Sequence, residues 1–183
     1  FKGSLNDLPV NQLSHYWPSV INDDTRSWVV KHLSEGTIHK IRTEGRFKLD
    51  GDSFKLQSID GDMDLSGVNI EYLPPLPSIL NTNAYIKFDK ENFNIFISSG
   101  NSRNLNISEA KVLITGLDEY DQIANITVKI DGNFADKLEY LDEKPLEYTS
   151  ALGIDSQFTD GLAETELKLK FVVENKLTLN DIE

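Results

Sequence analysis

Asp60, Asp62 and Asp64 alternate along the chain, and Glu71 follows at the twelfth position counted from Asp60. That is the carboxylate spacing of a calcium loop, in which hard oxygen ligands surround the ion. The sixth position, where such a loop needs glycine for its sharp turn, is Leu65. The flanking residues have strand-like patterning, so alternating acids on the wet face of a strand explain the same letters. His15, His32 and His39 offer imidazoles, but no HExxH or comparable spacing joins them. No GxSxG elbow or glycine-rich phosphate loop is present. Cysteine is absent, which removes disulfides, thiolate catalysis and Cys–zinc sites. Asn106-Ile107-Ser108 and Asn125-Ile126-Thr127 match the glycosylation sequon, yet both fall in expected strands. The residues predict no catalytic centre, no metal and no cofactor.

Composition narrows the classes further. The net charge of −12 repels nucleic acid and anionic head groups, so a phosphate-backbone binder is not expected. No run of 18 apolar residues occurs, so nothing in this stretch reads as a membrane-spanning helix. With 183 residues and 39% apolar content, the chain is expected to form a single module, read here as a fragment of a larger protein.

Residues 1–35 read as a helical lead-in. Pro9 suits a first helical position, Leu8, Leu13, Tyr16 and Trp17 share a face, and Pro18 ends the run. A second helix is expected from the acidic cap at Asn22-Asp23-Asp24-Thr25, through Trp28, to a stop at Gly36. From Thr37 the apolar period becomes two, and residues 36–73 read as a hairpin turning at Asp50-Gly51. Three of the six prolines, Pro74, Pro75 and Pro77, then forbid a central strand and predict an extended connector over 74–81. Residues 82–183 read as a meander. Its expected strands are 84–88, 93–97, 103–115 and 123–130, with turns at 89–92, Gly100-Asn101, 116–121 and Asp131-Gly132. A helical insertion over 135–141, a second short helix over 145–152 and a last strand over 163–173 complete it.

Several of these strands change phase partway along. Phe54 and Leu56 are even, Ile59, Met63 and Leu65 odd, and Val68, Ile70 and Tyr72 even again. Likewise Leu105 and Ile107 are odd, while Ala110, Val112 and Ile114 are even. A one-residue slip turns an apolar set to the wrong face unless a β-bulge absorbs it, and bulges bend strands. The stretch 54–72 would span on the order of 60 Å as one strand; two strands turning at Asp60-Gly61 or Ser66-Gly67 fit equally. The apolar strand faces also exceed what the few short helices can cover. Either the sheet closes on itself as a sandwich, or it leaves an apolar concave surface for a ligand.

The order of motifs resembles the conserved domain of YhdP-like members of the AsmA/TamB superfamily. Tyr16-Trp17-Pro18 and Thr25-Arg26-Ser27-Trp28, with Leu33 and Gly36, are similar to its opening. Gly67-Val68-Asn69-Ile70-Glu71-Tyr72-Leu73-Pro74-Pro75-Leu76-Pro77 is similar to its next signature. Asp131-Gly132, the segment 138–141, Lys144-Pro145-Leu146, Gly153 and Gly161 resemble its closing part, so the likeness covers about residues 9–173. The resemblance implies a periplasmic module of an inner-membrane-anchored envelope protein, in which a long, curved sheet shields phospholipid acyl chains.

The expected fold is therefore mainly β with short helices (α+β): a long, curved, mostly antiparallel sheet forming a groove. Candidate lining residues are Phe47, Leu49, Phe54 and Leu56 in the hairpin; Ile86, Phe88, Phe93, Ile95 and Ile97 after the prolines; and Val112, Ile114, Ile126, Val128 and Ile130 beyond them. Leu167, Leu169 and Phe171 complete the set on the last strand. The expected partners are phospholipid acyl chains and other envelope proteins, not nucleic acid, with membrane attachment left to other parts of the parent. The rival reading is a closed β-sandwich serving structure or protein interaction without a lipid. An enzyme such as a glycosidase would need two convergent carboxylates.

Overall fold

A computed structural model describes residues 1–16, 23–51, 53–72, 74–119, 121–144, 146–149, 153 and 161–173. Among the described residues nine strands form one antiparallel sheet. The strands are β1 (Lys2–Pro9), β2 (Leu33–Ser34), β3 (Thr37–Asp50), β4 (Ser53–Ile70), β5 (Ile79–Asp89), β6 (Asn92–Ser102), β7 (Leu105–Thr115), β8 (Ile123–Asn133) and β9 (Leu162–Val172). From β3 onward the order is a simple meander; β1 lies outside β3, and the short β2 pairs with β4. The sheet is open, with β1 and β9 as its edges, so the sandwich alternative does not hold. Helices α1 (Leu13–Tyr16), α2 (Asp23–His32) and α3 (Phe134–Asp142) are short, as the scarcity of helical patterning predicts.

The helical lead-in is corrected at its start, because residues 2–9 are strand β1. Leu5 lies opposite Ile41 and Leu8 opposite Ile38, which sets both leucines on one face although they are three apart. Asp7 makes this possible with a left-handed φ of 52°. The resulting three-residue spacing imitates a helix. Pro9 is the last residue of β1 and precedes the 3-10 turn Val10–Gln12. Trp17, Pro18 and Asn22 lie outside the described residues, and Trp28 sits in α2.

The expected hairpin exists, and β4 is one continuous strand of 18 residues. Each predicted phase slip coincides with a register shift. One falls between Arg46 and Phe47 opposite β4, which rotates Leu56 onto the face of Ile59. Another separates Leu65 from Val68, and a third separates Ile107 from Glu109. A bulge adds one residue to one strand, so the apolar side chains on either side of it keep the same face.

Two turns move relative to expectation. Residues 100 and 101 remain in β6, and the chain turns at Arg103-Asn104 instead. Gly100 serves packing there: a Cβ would lie 3.0 Å from Ile79 Cγ2 and 3.4 Å from Thr82 Oγ1. The proline connector is shorter than 74–81, since β5 begins at Ile79, and the Pro74–Pro75 peptide is cis. The strand expected over 123–130 runs on to Asn133, whose side chain caps α3 by accepting from Ala135 N at 3.0 Å. Of the second short helix, Pro145 and 150–152 lie outside the described residues. Thr149 is buried, and its Oγ1 donates to Leu138 O at 3.4 Å.

Candidate functional site

The register of the meander builds one apolar surface from isolated side chains. Residues directly opposite each other share a face, so pairings can be followed from strand to strand. The central row runs Leu5, Ile41, Met63, Ile86, Ile95, Val112, Ile126 and Leu169 without a polar residue. Beside it run Ile38, Leu65, Ala84, Ile97, Ala110, Val128 and Leu167. On the other side run Thr43, Gly61, Phe88, Phe93, Ile114, Ala124 and Phe171. Seven inter-strand steps of about 4.8 Å make the central row roughly 34 Å long.

The opposite face is polar, and it claims the acids singled out in the sequence. Asp62 accepts from Arg42 Nε and Nη2 at 3.0 and 2.6 Å. The carboxylate in turn raises the guanidinium pKa above its ordinary value, chiefly through that hydrogen bond. Lys129 bonds Glu109 at 2.9 Å and Lys168 bonds Glu166 at 2.9 Å, and each cation holds its carboxylate below the usual range. Lys87 stands 5.7 Å from the ring centre of Tyr85. Among the described residues no three His, Cys, Asp or Glu gather to hold a metal. His39 Nε2 lies 2.7 Å from Ser66 Oγ, while His32 Nδ1 lies 2.6 Å from Glu71 O, so the two imidazoles serve separate local bonds. Asn106 and Asn125 of the sequons are exposed within β7 and β8.

One end of the apolar face is roofed. Val10 and Leu13 join Leu8, Ile38, Leu65 and Val68 in the core, with Val29 and Leu33 packed against them. The proline connector follows: Leu76 is buried, and Ser102 Oγ donates to Pro77 O at 3.3 Å. Next comes α3, joined to the connector by a hydrogen bond between the Tyr72 and Tyr140 hydroxyls. Burial, followed by the neighbouring phenol, pushes the Tyr72 hydroxyl above its ordinary pKa, so it stays protonated.

Lys137 fastens α3 across the last two strands. It is 7% exposed and donates to Ile130 O at 2.6 Å, Ala163 O at 2.5 Å and Thr165 Oγ1 at 3.0 Å. Burial lowers its pKa. Lys137→Met keeps the stem but strips three acceptors of their donor, and is expected to lower unfolding free energy by about 2 kcal/mol. A urea melt checks this.

Towards the end of the sheet marked by Gly51, Lys90-Glu91 and Gly116 the face is less covered, and Phe88, Phe93, Ile114 and Phe171 remain half-buried. The sequence-predicted residues Ile86, Ile95, Val112, Ile126 and Leu169 therefore meet in the central row. Ile97, Val128 and Leu167 meet in the second, Phe88, Phe93, Ile114 and Phe171 in the third, and Ile130 lies opposite Ile107 and Thr165 beneath α3. Phe47, Leu49, Phe54 and Leu56 are not brought to these rows. They pair with one another at the tip of the β3–β4 hairpin, beyond the first β5 partner at Asp60. Sequence reasoning missed Leu5, Ile38, Ile41, Met63, Leu65, Ala84, Ala110 and Ala124. The alanines carry little hydrophobic signal, and the three-residue step from Ile38 to Ile41 conceals an irregularity at His39.

A model of the family described as YhdP protein matches residues 1–178. No curated protein and no solved structure is matched. The order of motifs, the open sheet of bulged strands and a match over nearly the whole chain agree: the protein belongs to the YhdP family, a lipid-transport-related family of envelope proteins.

Proposed function

We propose that the apolar face is a groove floor along which phospholipid acyl chains are shielded from water. In this reading the module works in the periplasm, between the inner and outer membranes, as part of a protein anchored elsewhere in the inner membrane. The observation that carries it is the central row of eight apolar residues, one from each successive long strand. A monomer that needed only a core would have no use for so long a one-sided apolar surface. At roughly 34 Å the row exceeds one acyl-chain layer of a bilayer, about 15 Å. Each methylene laid against it is desolvated by roughly 0.8 kcal/mol, so two chains hold without any charged contact. The head group can stay in water, which makes the net charge of −12 no obstacle. Transfer along such a floor is partition, not chemistry, and asks nothing of a cofactor.

The test places a photo-crosslinking residue at Phe93 and at Leu169, with Lys111 on the polar face as control. Phospholipid adducts are expected by mass spectrometry at the first two positions and not at the third. A lack of adducts at both Phe93 and Leu169, with the fold intact, would sink the proposal.

A further inference from the structure

The last strand, β9, ends the sheet with an unblunted edge. Among the described residues no strand pairs with its outer side. Val173 N donates to Gln122 O at 2.8 Å and Phe134 N to Gly161 O at 2.9 Å. By alternation, the odd-numbered residues of β9 turn their backbone groups towards β8, and the even-numbered ones turn theirs outward. Edges are commonly protected by proline, a bulge or a kink. At the other edge β1 carries the Asp7 kink. In contrast, β9 has no proline and pairs with β8 through eleven consecutive positions without a shift. Its side chains are open as well: Leu167 is 37% exposed, and the side chains of Glu166 and Lys168 are 46% and 72% exposed.

The order Glu164-Thr165-Glu166-Leu167-Lys168-Leu169-Lys170 is complementary in charge to itself read backwards. When two such strands lie antiparallel with Leu167 opposite Leu167, Glu166 faces Lys168 and Glu164 faces Lys170 on both sides of the centre. All four of these facing pairs are of opposite charge, which stabilises cross-strand neighbours. They are also the even-numbered residues, whose backbone groups point outward, so each pair completes two ladder hydrogen bonds. On the other face Leu167 meets Leu167, Thr165 meets Leu169 and Ala163 meets Phe171. One step either way sets Glu166 against Glu166, or Lys168 against Lys168. Charge therefore selects the register.

We propose that β9 is a dimerisation edge, which pairs antiparallel with β9 of a second copy of this chain about a two-fold axis through Leu167. Lys168, bonded to Glu166 of its own strand at 2.9 Å, then also meets Glu166 of the second copy. An unrelated strand would have to reproduce this charge order; a second copy supplies it by symmetry. Directly opposed residues share a face, so the row from Ile38 through Val128 to Leu167 runs on into the same row of the second copy. Two sheets become one, with their apolar faces on the same side. The pairing rests on the edge alone and does not depend on the groove reading.

Sedimentation equilibrium of the full chain tests this, and a concentration-dependent rise to twice the monomer mass is expected. Glu166→Lys and Lys168→Glu each set like charges opposite each other across the axis. Each is expected to weaken dimerisation on the order of tenfold. Combining the two in one chain restores opposite charges and is expected to restore the dimer. Because the chain has no cysteine, Leu167→Cys reports the register: the introduced thiol meets its own copy at a Cα spacing of about 4.5 Å, which a disulfide spans. Oxidation is expected to give covalent dimers with Leu167→Cys and not with Leu169→Cys, whose two copies lie about 13 Å apart along the strands. Unfolding midpoints measured alongside separate loss of pairing from loss of fold. A chain that stays monomeric overturns the proposal, and exchange-protected Glu166 and Lys168 amides in that monomer would give the edge to another stretch of the same chain. Equal cross-linking at 167 and 169, or a charge swap that fails to rescue, overturns it too.

Discussion

Gly36→Ala is expected to lower the unfolding free energy by about 3 kcal/mol, the sum of a left-handed backbone penalty and an overpacked contact. Gly36 joins β2 to β3 with φ at +72°. A Cβ on it would lie 2.6 Å from Ser66 O, 2.8 Å from the Gly67 carbonyl carbon and 2.8 Å from Val68 Cγ2. Two of those three atoms are backbone of β4, and Val68 is 1% exposed, so nothing nearby can yield cheaply. The same turn accepts a bond from Val10 N at 3.2 Å, so a shift there also disturbs the start of the roof over the apolar face. Gly51→Ala supplies the comparison, because Gly51 has a similar φ of +63° but open space around it. That variant should cost only about 1 kcal/mol. Equal urea midpoints for the two would show that β2 and β3 do not approach β4 this closely. Against a total stability of about 5–15 kcal/mol, the difference is large enough to measure cleanly.

Deleting Ser108 is expected to cost more, about 4 kcal/mol, although the residue is exposed. Ser108 is the extra residue of the β7 bulge: Ile107 pairs with Ile130 and Ala110 with Val128, three positions on β7 against two on β8. Without it the two halves of β7 disagree about which face is apolar. Either Leu105 and Ile107, 4% and 7% exposed, turn towards water, or Ala110, Val112 and Ile114 do so in their place. Turning out two large side chains costs about 1.5–3 kcal/mol each. Ser108→Ala keeps the count and should stay within about 0.5 kcal/mol of the unmodified chain. A deletion as mild as that substitution in a urea melt would mean the strand is not locked by its face. The bulge would then be incidental to the apolar rows.

The position of these bulges was readable before any fold was known. Alternation is a property of the chain itself, so the shift from Leu56 to Ile59, from Leu65 to Val68 and from Ile107 to Ala110 marks where a strand must absorb a residue. Type of element was legible for the same reason wherever patterning was long: β9 and α3 stand, within a residue at each end, where period and turn residues put them. Legibility failed where two periods coincide. Leu5 and Leu8 are spaced as on a helix, and only the pairing with Ile41 and Ile38 shows them to be strand neighbours across an Asp7 kink. Gly100 looked like a turn because glycine serves both turns and close approaches; the proximity of Ile79 and Thr82 decides for the second.

What the amino-acid order determined by itself was local: which residues alternate, where prolines end pairing, and where a phase slip demands a bulge. Each follows from contacts within a few residues, and so does the family likeness carried by the motifs. What only the tertiary structure decided is which of those faces line up. An apolar strand face has the same sequence whether it joins a row or projects past its neighbour. Val112 and Leu49 are alike as apolar strand residues; β6 and β8 flank the first, while among the described residues only β4 flanks the second. Register between distant strands therefore divides one uniform apolar pattern in two. Part of it becomes a continuous floor of roughly 34 Å. The rest becomes the separate tip of the β3–β4 hairpin.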